Sequence, residues 1–206
     1  MIVKTDVAAI ILAAGQGARF KGKKQFLEFH GKPLYKHVYD TLCQILPQEN
    51  IVVVGVDIEG GKTRNESVKL GIDYLAQHGN YKKVVICEAA RSLVTKSQIE
   101  QIINMESQSS CYVNPVVDTV ILKDKTYFNR EDCLHLVSPQ AFDFQLLYRA
   151  YLSADLGEIR TDETRLMYET YGIKPDFLMG NDNLFKVTYP KDISVLETIY
   201  HLYENE

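Results

Sequence analysis

Two glycines and a cluster of cations stand near the start of the chain, in VAAIILAAGQGARF (Val7 to Phe20), continued by Lys21, Lys23 and Lys24. The apolar run reads as a buried strand that opens into a glycine turn. Backbone N–H groups of such a turn can approach phosphate closely, and adjacent cations offset its charge. A dinucleotide fingerprint wants G-x-G-x-x-G and an acid roughly 20 residues on, at the end of the second strand. Here Phe20 takes the third glycine's place and the later region, Leu34–Ile45, is patterned as a helix. The dinucleotide reading therefore fails. A Walker loop fails too, because G-x-x-x-x-G-K-[ST] is absent after Gly15. What remains suits a triphosphate loop, or a tight turn followed by a solvated basic loop.

Further stretches could do chemistry. GGKTRNESV, Gly60 to Val68, is a second glycine turn opening a helix, with Asn65 or Ser67 available as its N-cap. EAAR, Glu88 to Arg91, puts small residues at a strand end beside an acid that could meet a metal or a ribose. Asp118-Thr119, Ser138-Pro139-Gln140, Thr161-Asp162-Glu163 and Asn183 to Thr188 complete the set. Taken singly, each also reads as a cap, a turn or a surface ion pair.

These residues need a frame to hold them. Short β-branched runs alternate with longer mixed segments. Strands are expected at Val7–Ala13, Asn50–Val56, Lys83–Cys87, Cys111–Val117, Val120–Lys123 and Leu184–Val187. Helices are expected at Leu34–Ile45, Asn65–His78, Lys96–Met105, Pro139–Ser153 and Asp192–Tyr203, and at Asp162–Thr170 with Asp162 or Thr161 as cap. The alternation predicts an α/β fold with a mostly parallel sheet between two helical layers, its ligands beyond the carboxyl ends of the strands. VILKDKTYFNREDCLH, Val120 to His135, breaks the pattern and reads as a hairpin that covers a sheet edge or projects as an arm.

A length of 206 residues without linker or repeat fits one domain, 1–206, with residues 120–136 as the arm. The net charge of −4 and the lack of a long basic run exclude a nucleic-acid footprint. Cys43, Cys87, Cys111 and Cys133 are far apart, which suits reduced thiols of a cytoplasmic protein. Val7–Ala14 is not a signal segment, since Asp6 interrupts its basic flank and a patterned helix follows the glycines. No run is long enough to cross a membrane.

In order, ILAAGQGARF with KKQFLEF, GGKTRNESVKLGI, EAAR, NPVVDTV, LVSPQAF, TDET and NLFKVTYPKDI resemble the methylerythritol phosphate cytidylyltransferase family and the related ribitol phosphate cytidylyltransferases. The resemblance runs from Ala9 to about Glu197. It implies a three-layer, Rossmann-like nucleotidyltransferase fold and a cytidylyltransferase that joins CMP from CTP to a polyol phosphate, for isoprenoid or cell-surface polymer synthesis. By the same resemblance Ala13, Ala14, Gly15 and Gly17 belong to the triphosphate loop, and Arg19 and Lys24 are its cations. Gly61 and Ser67 sit near the cytosine. Glu88 and Ala89 face the nucleotide, with Glu88 also the protein contact for magnesium. Ala90 and Arg91 face ribose and acceptor, and Lys186 faces the α-phosphate. Arg130 reaches the acceptor phosphate in a partner's site, Thr161 and Asp162 line the acceptor pocket, and the assembly is a homodimer with exchanged arms.

The chain departs from the family's pattern in four places. Cys87-Glu88 stands for His-Asp, Ser92 for a proline, Ile121 for a lysine whose nearest substitute is Lys123, and Lys62 for an acid. These changes bear on the acceptor and base pockets, whereas the triphosphate loop is kept. A catalytically drifted, nucleotide-binding regulatory protein is the alternative, separated by whether pyrophosphate is released. A dehydrogenase is opposed by Phe20 and the missing ribose acid.

Overall fold

The computed structural model describes residues 4–157 and 162–203. Its centre is a six-stranded sheet built from β1 (Val7–Leu12), β4 (Ile51–Val54), β5 (Lys83–Glu88), β6 (Ser109–Pro115), β9 (Leu134–Asp143) and β10 (Asp176–Met179). The order is β10-β6-β9-β5-β1-β4, and β9 alone runs antiparallel to its neighbours. Alternate residues of β1 face opposite sides, and two cores follow from that period. Ala9 and Ile11 pack with Val38 and Leu42 of α1 (Leu34–Cys43) and with Ile99 and Ile102 of α3 (Lys96–Asn104). Ala8 and Ile10 pack with Ile72 and Leu75 of α2 (Arg64–His78), Leu147 of α4 (Phe144–Ser153) and Leu166 of α5 (Glu163–Tyr171). The expected α/β, three-layer arrangement is what the chain adopts.

A third, smaller core lies beside the sheet. Phe29 of the short pair β2 (Glu28–Phe29) and β3 (Lys32–Pro33) meets Leu34, Val187 and Leu196 of α6 (Asp192–Tyr203), with Phe20 and Phe185 packed on it. Residues Leu184–Val187, expected as a strand, join no sheet. A turn of 3-10 helix at Asp182–Leu184 leads into an extended segment held to the rest by Val187 N–H donating to the Ala90 carbonyl at 2.9 Å.

Pro139–Ser153 was expected as one helix, but β9 runs on to Asp143. Residues 137–142 are buried between β5 and β6, where ladder bonding outweighs the helix-starting tendency of the proline. The helix begins only at Phe144, where the Asp143 side chain accepts from Leu146 N–H. Strand β10 carried no usable alternation, since it is four residues long and mostly exposed. The hairpin pairs β7 (Val120–Ile121) with β8 (Tyr127–Phe128) in a sheet of its own, and residues 121–132 are all exposed. From Leu134 the chain already pairs with β6, so the projecting part is shorter than expected.

Candidate active site

In the sheet Leu12 pairs with Val54 on one side and Glu88 on the other, so the ends of β4, β1 and β5 are level. The loops that follow these three strands meet over one cavity of about 530 Å³. It is lined by Ala13, Ala14, Gly15, Gly17, Arg19, Lys24, Gly61, Ser67, Glu88, Ala89, Ala90 and Lys186. Residues from four separate stretches of sequence, expected to act together, thus share one space.

The first loop is shaped by Gly17. Its φ is +65°, and a Cβ there would lie 1.8 Å from the Gly22 carbonyl oxygen. The Gly17 carbonyl accepts from Phe20 N–H at 2.9 Å and Gly22 N–H at 3.3 Å, which curls the loop. Buried Gln25 donates from Nε2 to the Gly15 carbonyl at 3.0 Å. Gly55, with φ +103°, lets the end of β4 approach Ala14, because a Cβ would come within 2.7 Å of its backbone. Arg19 stays exposed, 6.0 Å from the centroid of the Tyr189 ring. Lys24 is half-buried and donates from Nζ to the Val187 carbonyl at 2.6 Å. Burial, and then the neighbouring charges of Lys186 and Arg19, push its pKa below the usual lysine value.

The second loop carries Gly61 and Ser67. Thr63 caps α2, accepting from Glu66 N–H, where Asn65 or Ser67 was the expected cap. Ser67 Oγ is therefore free to accept from Gly61 N–H at 3.1 Å while donating to the Thr63 carbonyl at 3.0 Å.

The third loop centres on Glu88. Lys186 Nζ reaches its Oε1 at 2.6 Å, while Arg91 Nε and Ser138 Oγ reach Oε2 at 3.1 and 3.2 Å. Ser138 is available because the register between β6 and β9 skips it, Cys111 pairing with Gln140 and Tyr112 with Val137. Burial disfavours the Glu88 carboxylate, yet Lys186, Arg91 and more weakly Arg64 outweigh burial and hold its pKa down to about 2. A carboxyl depressed in this way stabilises the fold fully above its ordinary value of 4.5, and that contribution is lost as pH falls through about 2. The melting temperature of the wild type should therefore fall more steeply over that acid range than that of Glu88→Gln. Equal slopes would show that the carboxylate adds nothing.

Magnesium held by Glu88 does not fit this donor set, since both oxygens are committed to cations and a hydroxyl. Among the described residues no group of three His, Cys, Asp or Glu could hold a metal.

Other expected residues lie apart from the cavity. Arg91 is packed behind Glu88, and its Nη1 donates to the Leu184 carbonyl. Arg130 is exposed in the arm and donates to the Val117 carbonyl at 2.9 Å. Asp162 caps α5, accepting from Arg165 N–H, and Thr161 lies outside the described residues. Sequence reasoning missed Gln25, Gly55 and Arg64, and it missed Ser138 as a partner of Glu88. For Thr63 the T-x-x-E spacing to Glu66 was a readable cap signal. None of the five histidines lines the cavity.

Comparison with known proteins agrees with this geometry. The family model described as 2-C-methyl-D-erythritol 4-phosphate cytidylyltransferase matches residues 7–201. Relatives bearing that name include one from Aliivibrio fischeri, 29% identical over 93% of this chain and 92% of its own length. One from Aquifex aeolicus is 30% identical over 93% of this chain and 96% of its own. Among solved structures, the bifunctional IspDF from Campylobacter jejuni superposes with a TM-score of 0.79 at 28% identity, covering 92% of this chain and 54% of that one. The 4-diphosphocytidyl-2C-methyl-D-erythritol synthase from Anaerococcus prevotii gives 0.76 at 22% identity, over 96% and 99% of the two chains, which speaks to the fold.

Proposed function

Because the chain belongs to the 2-C-methyl-D-erythritol 4-phosphate cytidylyltransferase family, we propose that it transfers CMP from CTP to methylerythritol phosphate and releases pyrophosphate. The observation that carries this reading is the single cavity in which a curled glycine loop, Arg19, Lys24 and Lys186 face the Gly61 turn.

In this reading an acceptor phosphate oxygen attacks the α-phosphorus in line with the leaving pyrophosphate. Both reactants are anionic, so the protein's work is alignment and charge neutralisation. Arg19 and Lys24 stabilise the β- and γ-phosphates as charge builds on the leaving group, and Lys186 faces the α-phosphate. Gly61 and Ser67 read the base edge, and Ala89 and Ala90 leave room for ribose. The acceptor phosphate is already ionised and needs no general base. A divalent cation bound together with CTP would neutralise part of the phosphate charge and would keep several of its waters. Thr161 and Asp162 would line the acceptor pocket, and Arg91 would face the acceptor.

The rest of the reading concerns assembly and place. The chain forms one domain whose arm, carrying exposed Ile121, Tyr127 and Phe128, exchanges with that of a second copy. Arg130 then serves the partner's acceptor. All four cysteines are free, which supports a cytoplasmic location. No helix among the described residues is long and apolar enough to cross a membrane.

A pyrophosphate-release screen crossing the four nucleoside triphosphates with methylerythritol, ribitol and other polyol phosphates tests the reading. Release with CTP and methylerythritol phosphate is expected; CTP binding with no release against any acceptor would favour the regulatory alternative. Arg130→Ala should raise KM for the acceptor more than for CTP. Mixed dimers of Arg130→Ala and Lys186→Ala chains should regain part of the activity. No complementation would count against shared sites.

A further inference from the structure

One buried charge pair has no part in the steps above, yet it joins two segments on which they depend. Arg64 is the first residue of α2 and lines the cavity. Glu163 is the first residue of α5 and has 0% exposure. Arg64 Nη1 and Nη2 donate to Glu163 Oε1 and Oε2 at 2.5 and 2.8 Å, and the Tyr151 hydroxyl donates to Oε1 at 2.9 Å. A guanidinium fork on a carboxylate fixes direction as well as distance.

Stability is a poor reason for such a pair. Two buried charges lose hydration that their attraction barely offsets, and apolar residues of similar volume often serve as well. Arg64 also stands at a helix N-terminus, where the backbone's partial positive charge disfavours a cation. Its Nε is buried, with no partner among the described residues. Burial opposes its charge, but Glu163 and the more distant Glu88 hold its pKa above the usual arginine value.

What the pair does have is position. On the α2 side it sits between Gly61 and Ser67, the turn assigned above to the base. On the α5 side it adjoins Asp162, assigned above to the acceptor pocket. Otherwise the two helices contribute to one apolar core, Val68 and Ile72 from α2 and Leu166 and Met167 from α5, with α4 packed against both helices.

We propose that Arg64 and Glu163 are a positioning pair that sets the acceptor segment against the bound nucleotide, so that the attacking oxygen meets the α-phosphorus in line. The proposal rests on the cytidylyl-transfer reading above. Arg64 acts through Glu163 rather than on substrate, because one N–H of each terminal nitrogen is held by the Glu163 carboxylate, which fixes the plane and direction of the guanidinium.

The test compares wild type, Arg64→Lys and the double variant Arg64→Met/Glu163→Met in melting temperature, affinity for α,β-methylene CTP, and steady-state pyrophosphate release. Wild-type chain that releases no pyrophosphate with CTP and methylerythritol phosphate would remove the reaction itself. With an active wild type, the double variant should keep its melting temperature and its analogue affinity to within about threefold, while kcat falls about a hundredfold. A double variant with wild-type kcat overturns the pair's role. So does a loss confined to analogue affinity with kcat unchanged, which would make the pair a nucleotide-binding element. If the double variant does not fold, Arg64→Lys decides, because it keeps the charge and loses the fork. Its kcat should fall at least about tenfold with analogue affinity kept, and a wild-type kcat in that variant overturns the proposal equally.

Discussion

Lys186→Ala should lower the rate of pyrophosphate release at least about a hundredfold, with a smaller effect on CTP binding. The ammonium is held against Glu88 Oε1 at 2.6 Å, at the rim of the cavity where the α-phosphate is proposed to lie. Its position is fixed from behind: Phe185 and Val187 pack into the third core while Lys186, between them, turns the other way. Charge placed in advance on a site that excludes water stabilises a pentacoordinate phosphorus more than it stabilises bound CTP. The loss should therefore fall on kcat. Glu88 would still hold Arg91 and Ser138, so the variant should fold. Near-normal turnover in a folded Lys186→Ala protein would sink the mechanism.

Lys24→Ala should cost a similar factor, about two orders of magnitude, and should weaken CTP binding as well. Lys24 faces the expected β- and γ-phosphates and also braces the other lysine's segment through the Val187 carbonyl at 2.6 Å. Its depressed pKa adds a second signature. Buried beside Lys186 and Arg19, the free ammonium gives up its proton at lower pH than an ordinary lysine does. A bound triphosphate favours the charged form, so CTP binding at alkaline pH should take up protons, and affinity should fall as pH rises. Calorimetry in buffers of different ionisation enthalpy reads this uptake. Wild type should show it and Lys24→Ala should not; identical uptake in both would assign the proton elsewhere.

The parts of the site that sequence disclosed are those whose chemistry is local. Gly15, Gly17, Arg19 and Lys24 fall in one loop, where turn geometry and charge can be read without knowing the fold. Glu88 shows the opposite case. Its partners Lys186 and Ser138 are 98 and 50 residues away, and only sheet order brings them together. Leu184–Val187 has the apolar spacing of a strand, but Phe185 and Val187 pack with Phe29, Leu34 and Leu196, and Leu184 joins the core of α1 and α3, rather than pairing with another strand. Pro139 suggested a helix start, and the irregular register of β9 that turns Ser138 toward Glu88 cannot be seen in composition. Arg64 and Glu163, 99 residues apart, each look like ordinary surface charges until α2 and α5 are packed on one core.

The small core of Phe29, Leu34, Val187 and Leu196 also bears on how the enzyme is made. Synthesis completes β1, β4, β5 and the phosphate loop long before it reaches the residues that carry Lys186. A nascent chain therefore carries the residues of the glycine loop well before it carries the second of the two lysines proposed to act with them. Domains fold as units as they emerge, so the site is assembled last, when residues 184–196 dock onto Phe29 and Leu34. Chains ending before that point would lack Lys186 and the third core, and Lys24 would lose its bond to the Val187 carbonyl.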